Sequence, residues 1–514
     1  MSFFMGIDLG TSGVKVVVID QNGQVVGTGS EELTLDTPGP NWAEQHPNQW
    51  WSATCSAIKA ALADGGDIGN KIEGIGLSGQ MLGATFLDKN LDVIRPCIIW
   101  CDQRSSEERD FIEESIGMEH LLELTANYPL TGYVAPKILW LRKNEPEAYE
   151  RVHKVLLPKD YLRLKLTGEL AAEVSDAGGT YLFDVKNREW SSEMLEKLDI
   201  PGDFLPDVYE SVAVTGQLRK DVAEELGLRE GIPVVGGGGD QTAGGVGNGV
   251  VDEGIVSSTI GTSGVVFACV NKPQIDTKGR GIHTFCHSVE DKWAVFGCTL
   301  AAGGSYKWLR DKFSVVEKEF ARLRGMDTYD VMDLSAGKAQ PGCGGLLFAP
   351  YLIGERTPYP DPDARGLFFG LTLRHGWPEI VRSVMEGVTF SLRDSLEILR
   401  EFGVNVKQVR ASGGGAKSPL WRQMQADIFN TEVITTNVEE GPAVGAAIMS
   451  AVGSGYYSTV QEACKKIIKP LSKTEPIKEN VELYEDLYGI YKSLYPTLKD
   501  TFKKEAEIMK KWSL

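Results

Sequence analysis

Apolar and polar positions change period repeatedly along the first hundred residues. Residues 6–9 are apolar apart from Asp8, Gly10-Thr11-Ser12-Gly13 is turn chemistry, and residues 14–19 are a β-branched run. Together they predict a β-hairpin. A turn at 21–24 and a third strand at 25–30 follow. From Pro47 the spacing becomes helical, with Trp50, Trp51, Thr54, Ile58 and Leu62 on one stripe. Residues 72–77 predict a strand ending in Ser78-Gly79-Gln80-Met81-Leu82-Gly83. A further apolar run, 96–100, opens into Cys101-Asp102-Gln103-Arg104.

Residues 106–200 read as a helix-rich insertion. Tyr128, Thr131, Gly132 and Tyr133 form a loop before a helix at 136–143, residues 156–167 are helical, and Ser175-Asp176-Ala177-Gly178-Gly179-Thr180 is a turn. A strand at 232–235 then runs into Gly236-Gly237-Gly238-Gly239-Asp240. Near the midpoint, residues 258–267 repeat the opening strand–turn–strand, with the turn Gly261-Thr262-Ser263-Gly264 identical to the first. A repeat at half the chain length predicts two similar domains, placed at 1–250 and 251–475, with a helical tail at 476–514. The second half adds a helix at 301–310, a loop at 348–358 with a Glu355–Arg356 ion pair, and an amphipathic helix at 380–399. A strand into Ser412-Gly413-Gly414-Gly415 mirrors the glycine run before Asp240. A small-residue helix follows at 441–452, and Pro496 interrupts the tail.

Composition narrows the function. At 514 residues the chain needs more than one core. A net charge of −18 argues against nucleic acid or anionic membrane as the main partner, because either needs a basic face. No apolar run reaches the roughly 18 residues of a membrane span, and the start lacks the pattern of a signal peptide. The eight cysteines are scattered, and Cys97 and Cys101 have no second pair at zinc spacing. Reduced cysteines and a cytoplasmic location are expected. His283 and His287, four apart, lack a carboxylate partner, so a metal site there is not expected.

Three stretches carry candidate chemistry. Asp8 is a carboxylate inside an apolar strand, which is costly without a partner. Beside it, the glycine-bracketed turn can cradle an anion. An acid that can hold Mg²⁺ next to a phosphate-binding turn outlines a nucleotide site; the plainer alternative is a tight turn with Asp8 capping a neighbouring group. Polyglycine before Asp240 lets backbone approach a ligand and sets Asp240 as a general base, or as an N-cap. Asp102 and Arg104 are either an ion pair or a hydrogen-bonding rim for a polyol, alongside Gln80 and Gln103.

As a set and in this order, the paired hairpins, Gly79-Gln80-Met81, Trp100-Cys101-Asp102, Gly239-Asp240 and Ser412-Gly413-Gly414-Gly415 resemble the FGGY carbohydrate kinases, nearest to their bacterial xylulokinase branch. The segments 157–163 and 354–358 match too. The resemblance implies an α/β fold of two actin/hexokinase-type (ribonuclease H-like) domains with an interdomain cleft. It implies ATP and Mg²⁺ as cofactors, a small-molecule sugar as partner, no nucleic acid or membrane partner, and a homodimer as the oligomer left open. Carried over, Asp240 takes the proton from the sugar hydroxyl, and Asp8 and Asp240 lie at the metal. Thr11, Ser12, Lys15, Gly261, Thr262 and Ser263 lie at the phosphates, and Gly413, Gly414 and Gly415 flank the adenosine. Gln80, Met81, Leu82, Asp102, Tyr133 and Gln241 line the sugar pocket. Two departures stand out. Leu82 occupies a position where xylulokinases usually carry His, and Cys101 replaces the usual Asn. The expected reaction is phosphorylation of D-xylulose. Another ketopentose or a polyol is the alternative, because Leu cannot hydrogen-bond a sugar hydroxyl. A nucleotide-switched, actin-like scaffold is the distant rival.

Overall fold

The computed structural model describes residues 1–66 and 68–512. The opening hairpin is β1 (Phe3–Leu9) and β2 (Gly13–Asp20), joined by β3 (Val25–Glu32). Helix α1 (Pro47–Gly65) packs on β3, and its Trp50 is fully buried. Strand β4 (Ile72–Gly79) runs parallel to β1. The helix-rich insertion contains α2 (Val134–Asn144), α3 (Pro158–Thr167) and the single turn α4 (Val174–Ala177). The chain then returns to the sheet through β5 (Val214–Gln217), β6 (Pro233–Val235) and β7 (Gly238–Gly239), and enters α5 (Asp240–Gly247). The strand order is β5-β6-β4-β1-β2-β3, with β7 also on β4.

The second half repeats this plan. Strands β8 (Ile255–Ile260) and β9 (Gly264–Val270) form the second hairpin, followed by β10 (Ile282–Cys286) and β11 (Trp293–Thr299). After the long buried helix α6 (Trp377–Glu401) come β12 (Gln408–Gly413), α7 (Pro419–Phe429), β13 (Val433–Thr436), α8 (Gly441–Gly453) and β14 (Pro470–Thr474). The order is β10-β11-β9-β8-β12-β13-β14. The cores β3-β2-β1-β4-β6 and β11-β9-β8-β12-β13 therefore share order, and each has three antiparallel strands followed by two parallel ones. This is the actin/hexokinase-type duplication.

The halves are held together by small residues. Helix α8, from the second half, lies on β1 and β4 of the first and against α5. Cβ atoms on Gly6 or Gly76 would overlap the carbonyl oxygens of Ala443 or Ala446. Helix and sheet approach this closely because side chains are absent on one face and short on the other.

Four expectations are corrected here. Residues 175–180 are helical: Glu173 caps α4 through the Ser175 and Asp176 N–H groups, and a 3₁₀ turn follows over Gly178–Thr180. The tail is one helix, α9 (Lys478–Trp512), continuous through Pro496. Pro496 frees the carbonyl of Lys492, and Tyr359 donates its hydroxyl to it at 3.5 Å. Tyr484, Tyr488 and Tyr491 of α9 are buried in the second half's core. Glu355 makes no ion pair with Arg356. Its carboxylate accepts instead from Thr299, Ser391 and the N–H groups of Leu300 and Arg356. Finally, the glycines 413–415 end β12, the counterpart of β4, so they correspond to Gly79-Gln80-Met81 rather than to the run before Asp240.

No helix among the described residues is long and apolar enough to cross a membrane. All eight cysteines are free.

Candidate active site

The register of three adjacent strands builds the site. Asp8 of β1 lies opposite Ser78 of β4, and Ser78 lies opposite Gly238 of β7. Ser78 donates its hydroxyl to Asp8 at 2.8 Å. Two residues beyond Gly238 the chain turns into α5, and Asp240 is that helix's first residue. The N-cap position is held by Gly239, not by Asp240; the Asp240 carboxyl is bonded by the backbone and side chain of Gln241, which oppose its rise. Both acids thus converge at the carboxyl ends of parallel strands, where open α/β sheets bind ligands.

The same register in the second half is informative. Thr259 takes Asp8's place and bonds Ser412 at 2.7 Å, as Asp8 bonds Ser78. Glu440 stands at the N-cap position of α8, without a side-chain capping bond, near the place where Asp240 opens α5. Glu440 pairs with Lys15, which faces Asp8 across the first hairpin. Duplication kept the frame and placed a pair of convergent acids in the first half only.

Burial pushes Asp240 up to about 7, and the charge of Asp8 adds to the rise. Burial likewise raises Asp8 to about 6; the Ser78 bond and Lys15 oppose this, and Glu440 reinforces it. Perturbed, mutually repelling carboxyls at a strand end are what a site for proton transfer and cation binding requires. The field of Asp240 also reaches Cys298 of β11, which pairs with Val265 beside the second hairpin turn.

The glycine run is dictated by protein, not left open for a ligand as the sequence suggested. A Cβ on Gly236 would meet the Glu210 and Ser211 carbonyls, on Gly237 the Leu77 carbonyl, on Gly238 the hydroxyls of Ser288, Thr242 and Ser175, and on Gly239 the Met81 side chain. Only Gly237, at φ +74°, also needs glycine's conformational freedom.

The remaining expected site residues fall into two groups. Around the first turn, Thr11 donates to Gln80 at 3.1 Å and accepts from the Trp100 indole at 2.9 Å, while Gln80 donates to Gln45 at 2.8 Å. Gln80 is 1% exposed, so it braces the turn from beneath. Ser12 is exposed and Lys15 partly so. In the second half, Gly261, Thr262 and Ser263 are exposed, and the N–H groups of Gly303 and Gly304 clamp the carbonyls of Gly261 and Thr262. Gly413, at φ +75°, and Gly415 lie against Ile260 at the base of that turn, with Gly414 exposed beside them.

Towards the insertion, Met81 covers Gly239, and Gln241 donates to Asp240 across a long 3.4 Å. Leu82 has a left-handed backbone, φ +69°, and its side chain packs at Gly179. Lys137, fully buried and lowered to about 8 by burial, donates to the carbonyls of Leu82 at 2.7 Å and Gly132 at 2.6 Å. Sequence reasoning missed this tie, since a lysine within a helix carries no signal of it. Tyr133 is buried against Tyr181, and its hydroxyl has no partner. An unpaired buried hydroxyl costs free energy until something bonds it. Asp102, fully buried, accepts from the Ala43 N–H at 2.6 Å and pairs with Arg104; Glu44 takes Arg104's other end. Of the two uses open to Asp102 and Arg104, the ion pair is formed. His287 bonds the Val250 carbonyl, and no cluster of three or more metal-ligating side chains occurs among the described residues.

Comparison with known proteins bears on the family and the fold. Residues 3–247 match the N-terminal domain, and residues 256–454 the C-terminal domain, of the FGGY family of carbohydrate kinases. The xylulose kinase of Bacillus subtilis (strain 168) is 38% identical over 500 residues, covering 97% of this chain and 98% of the relative. The xylulose kinase of Escherichia coli (strain K12) is 38% identical over 497 residues, covering 96% and 99%. A crystal structure described as a xyloylose kinase from Brucella ovis superposes with a TM-score of 0.88 at 35% identity, covering 97% of this chain and 100% of that one.

Proposed function

From the premise that this chain belongs to the FGGY family of carbohydrate kinases, we propose that it transfers the γ-phosphoryl group of ATP to D-xylulose, giving D-xylulose 5-phosphate and ADP. Near-full-length identity to xylulose kinases supports the substrate. The observation that carries the chemistry is Asp240: a carboxyl with a raised pKa at the first position of α5, beside Asp8 at the strand ends.

Phosphoryl transfer needs positioning and charge neutralisation more than covalent chemistry. Asp240 accepts the proton of the attacking hydroxyl as that oxygen approaches the γ-phosphorus in line. A base with a pKa of about 7 is half ionised at neutral pH, near the optimum for general-base work. The hairpin turns at Thr11–Ser12 and Thr262–Ser263, with Lys15, hold phosphate oxygens, and the glycines 413–415 give the adenosine a flat seat. Met81, Leu82, Tyr133 and Gln241 wall the sugar pocket, with the unpaired Tyr133 hydroxyl offering a hydrogen bond. Asp102 and Gln80 support that wall from behind.

Mg²⁺ fits the residues present. Asp8 and Asp240 offer two hard oxygen donors, suiting a cation that binds through one or two carboxylates plus phosphates and water. When bound, it supplies charge neutralisation to the triphosphate. Eight free cysteines suit a reducing cytoplasm.

The test is Asp240→Asn in a coupled assay of ADP release over a panel of ketoses and polyols. The wild-type protein is expected to prefer D-xylulose, and the variant to lose about 10²- to 10⁴-fold in kcat. Near-wild-type turnover by the variant would remove the base assignment, and preference for another acceptor would change the substrate.

A further inference from the structure

We infer that Ser175 is the positioning residue for Asp240, acting through a buried chain of hydroxyls that joins the two halves of the molecule and ends on Glu173. The inference rests on the reading of Asp240 as the general base.

Ser175 donates its hydroxyl to Glu173 at 2.8 Å. The same oxygen accepts from the N–H of Gly239 at 3.1 Å and from the Thr242 hydroxyl at 2.8 Å. Ser288, from the second half, donates to Thr242 at 2.9 Å. Ser175, Thr242 and Ser288 are each at most 1% exposed. The Thr242 hydroxyl also lies 3.0 Å from the carbonyl of Gly239, to which it can donate instead, so both backbone groups of Gly239 are within reach of this hydroxyl cluster, which ends on the Glu173 carboxylate.

That carboxylate is itself held. Glu173 also accepts from the Ser211 hydroxyl at 2.9 Å and from two backbone N–H groups, and Lys159 lies 3.5 Å away. Lys159 pairs with Asp160 at 2.7 Å, and Arg163 pairs with Asp160 at 2.6 Å and donates to the carbonyl of Gly236. The run 236–239 is therefore gripped at both ends, by Arg163 at Gly236 and by Ser175 at Gly239. Four consecutive glycines have no side chains to fix their own path. Backbone bonds from Gly236 and Gly237 to the Ala213 and Ser211 carbonyls and pairing of Gly238 and Gly239 with β4 also fix the run; among side chains, Ser175 is bonded to the residue next to Asp240.

The experiment is a double-mutant cycle on the full-length protein, with ATP and D-xylulose, using Ser175→Ala and Asp240→Asn. In the wild-type background Ser175→Ala is expected to lower kcat about 10- to 100-fold through misplacement of the base. KM for ATP should stay within about twofold, because the phosphate-binding turns are untouched. In the Asp240→Asn background the same change is expected to lower the residual rate by less than about twofold, since its effect runs through Asp240. Thr242→Val, close in shape, provides a second cycle should Ser175→Ala not fold. An equal fold-loss in both backgrounds, or an unchanged kcat in Ser175→Ala, overturns the inference. Failure of the underlying reading looks different: Asp240→Asn alone would then keep the wild-type rate.

Discussion

Asp8 stands close enough to Asp240 for its negative charge to add to the rise that burial imposes on Asp240. The two come together because β4 lies between β1 and β7, so residues far apart in sequence share one strand end. A base acts in its ionised form, so kcat/KM for the sugar should fall as pH drops through about 7. A carboxyl at its ordinary value would place that limb near 4. A pH–rate profile of the wild-type protein, flat from pH 8 down to 5, would contradict the assignment.

Burial of the two acids, with the charge of Asp8 adding at Asp240, has a cost in stability. Asp240 and Asp8 bind their protons more tightly folded than unfolded, so stability falls as pH rises from about 4 towards 7. Asp240→Asn removes that penalty. Without nucleotide, the variant should be more stable than wild type by about 1–2 kcal/mol at pH 8, a figure reduced for partial solvent screening. The difference should vanish near pH 4. Urea unfolding at both pH values checks it.

Packing of α8 on the first sheet depends on glycine. Gly6→Ala places a methyl group on the Ala443 carbonyl and should cost about 2–3 kcal/mol. Gly489→Ala, in α9 with open space around it, should instead stabilise by about 0.5–1 kcal/mol. Thermal melts of the two variants should therefore move in opposite directions.

Asp102→Asn leaves Arg104 buried with half its charge partners gone. Breaking a buried pair costs about 3–5 kcal/mol, so the melting temperature should drop clearly. If support from behind is the whole role of Asp102, KM for the sugar measured well below that temperature should change little. A large rise in KM at unchanged stability would instead place Asp102 on the substrate.

Leu82→His tests the departure from the xylulokinase pattern. The left-handed backbone at this position favours His over Leu, and imidazole adds a hydrogen bond that Leu lacks. KM for D-xylulose should fall about three- to tenfold, the worth of one net hydrogen bond. An unchanged or higher KM would show that Leu82 is matched to a different acceptor.

Much of the frame was legible from residues 1–80 and 251–267. Their strands are short β-branched or apolar runs bounded by turn residues, and both hairpin turns carry Gly-Thr-Ser-Gly, whose conformation is set locally. The acid after four glycines was legible for a similar reason. The reason for those glycines was not, because the atoms that exclude a side chain at Gly238 come from residues 175, 242 and 288. Likewise, nothing near Pro496 in sequence announces Tyr359, which bonds the carbonyl that the proline frees.

The amino-acid sequence by itself determined the duplicated hairpins, the fold class and the acid proposed as the base, because these depend on short-range backbone preference and on single residues of distinctive chemistry. Only the tertiary structure decided that the triglycine turn answers to Gly79-Gln80-Met81, that Asp102 is spent on Arg104, and that Ser175 grips the turn before Asp240. Those outcomes depend on strand order and on which buried polar groups find partners. Such pairings are chosen by the whole fold, where an unpaired group is expensive, and leave no local trace in the chain.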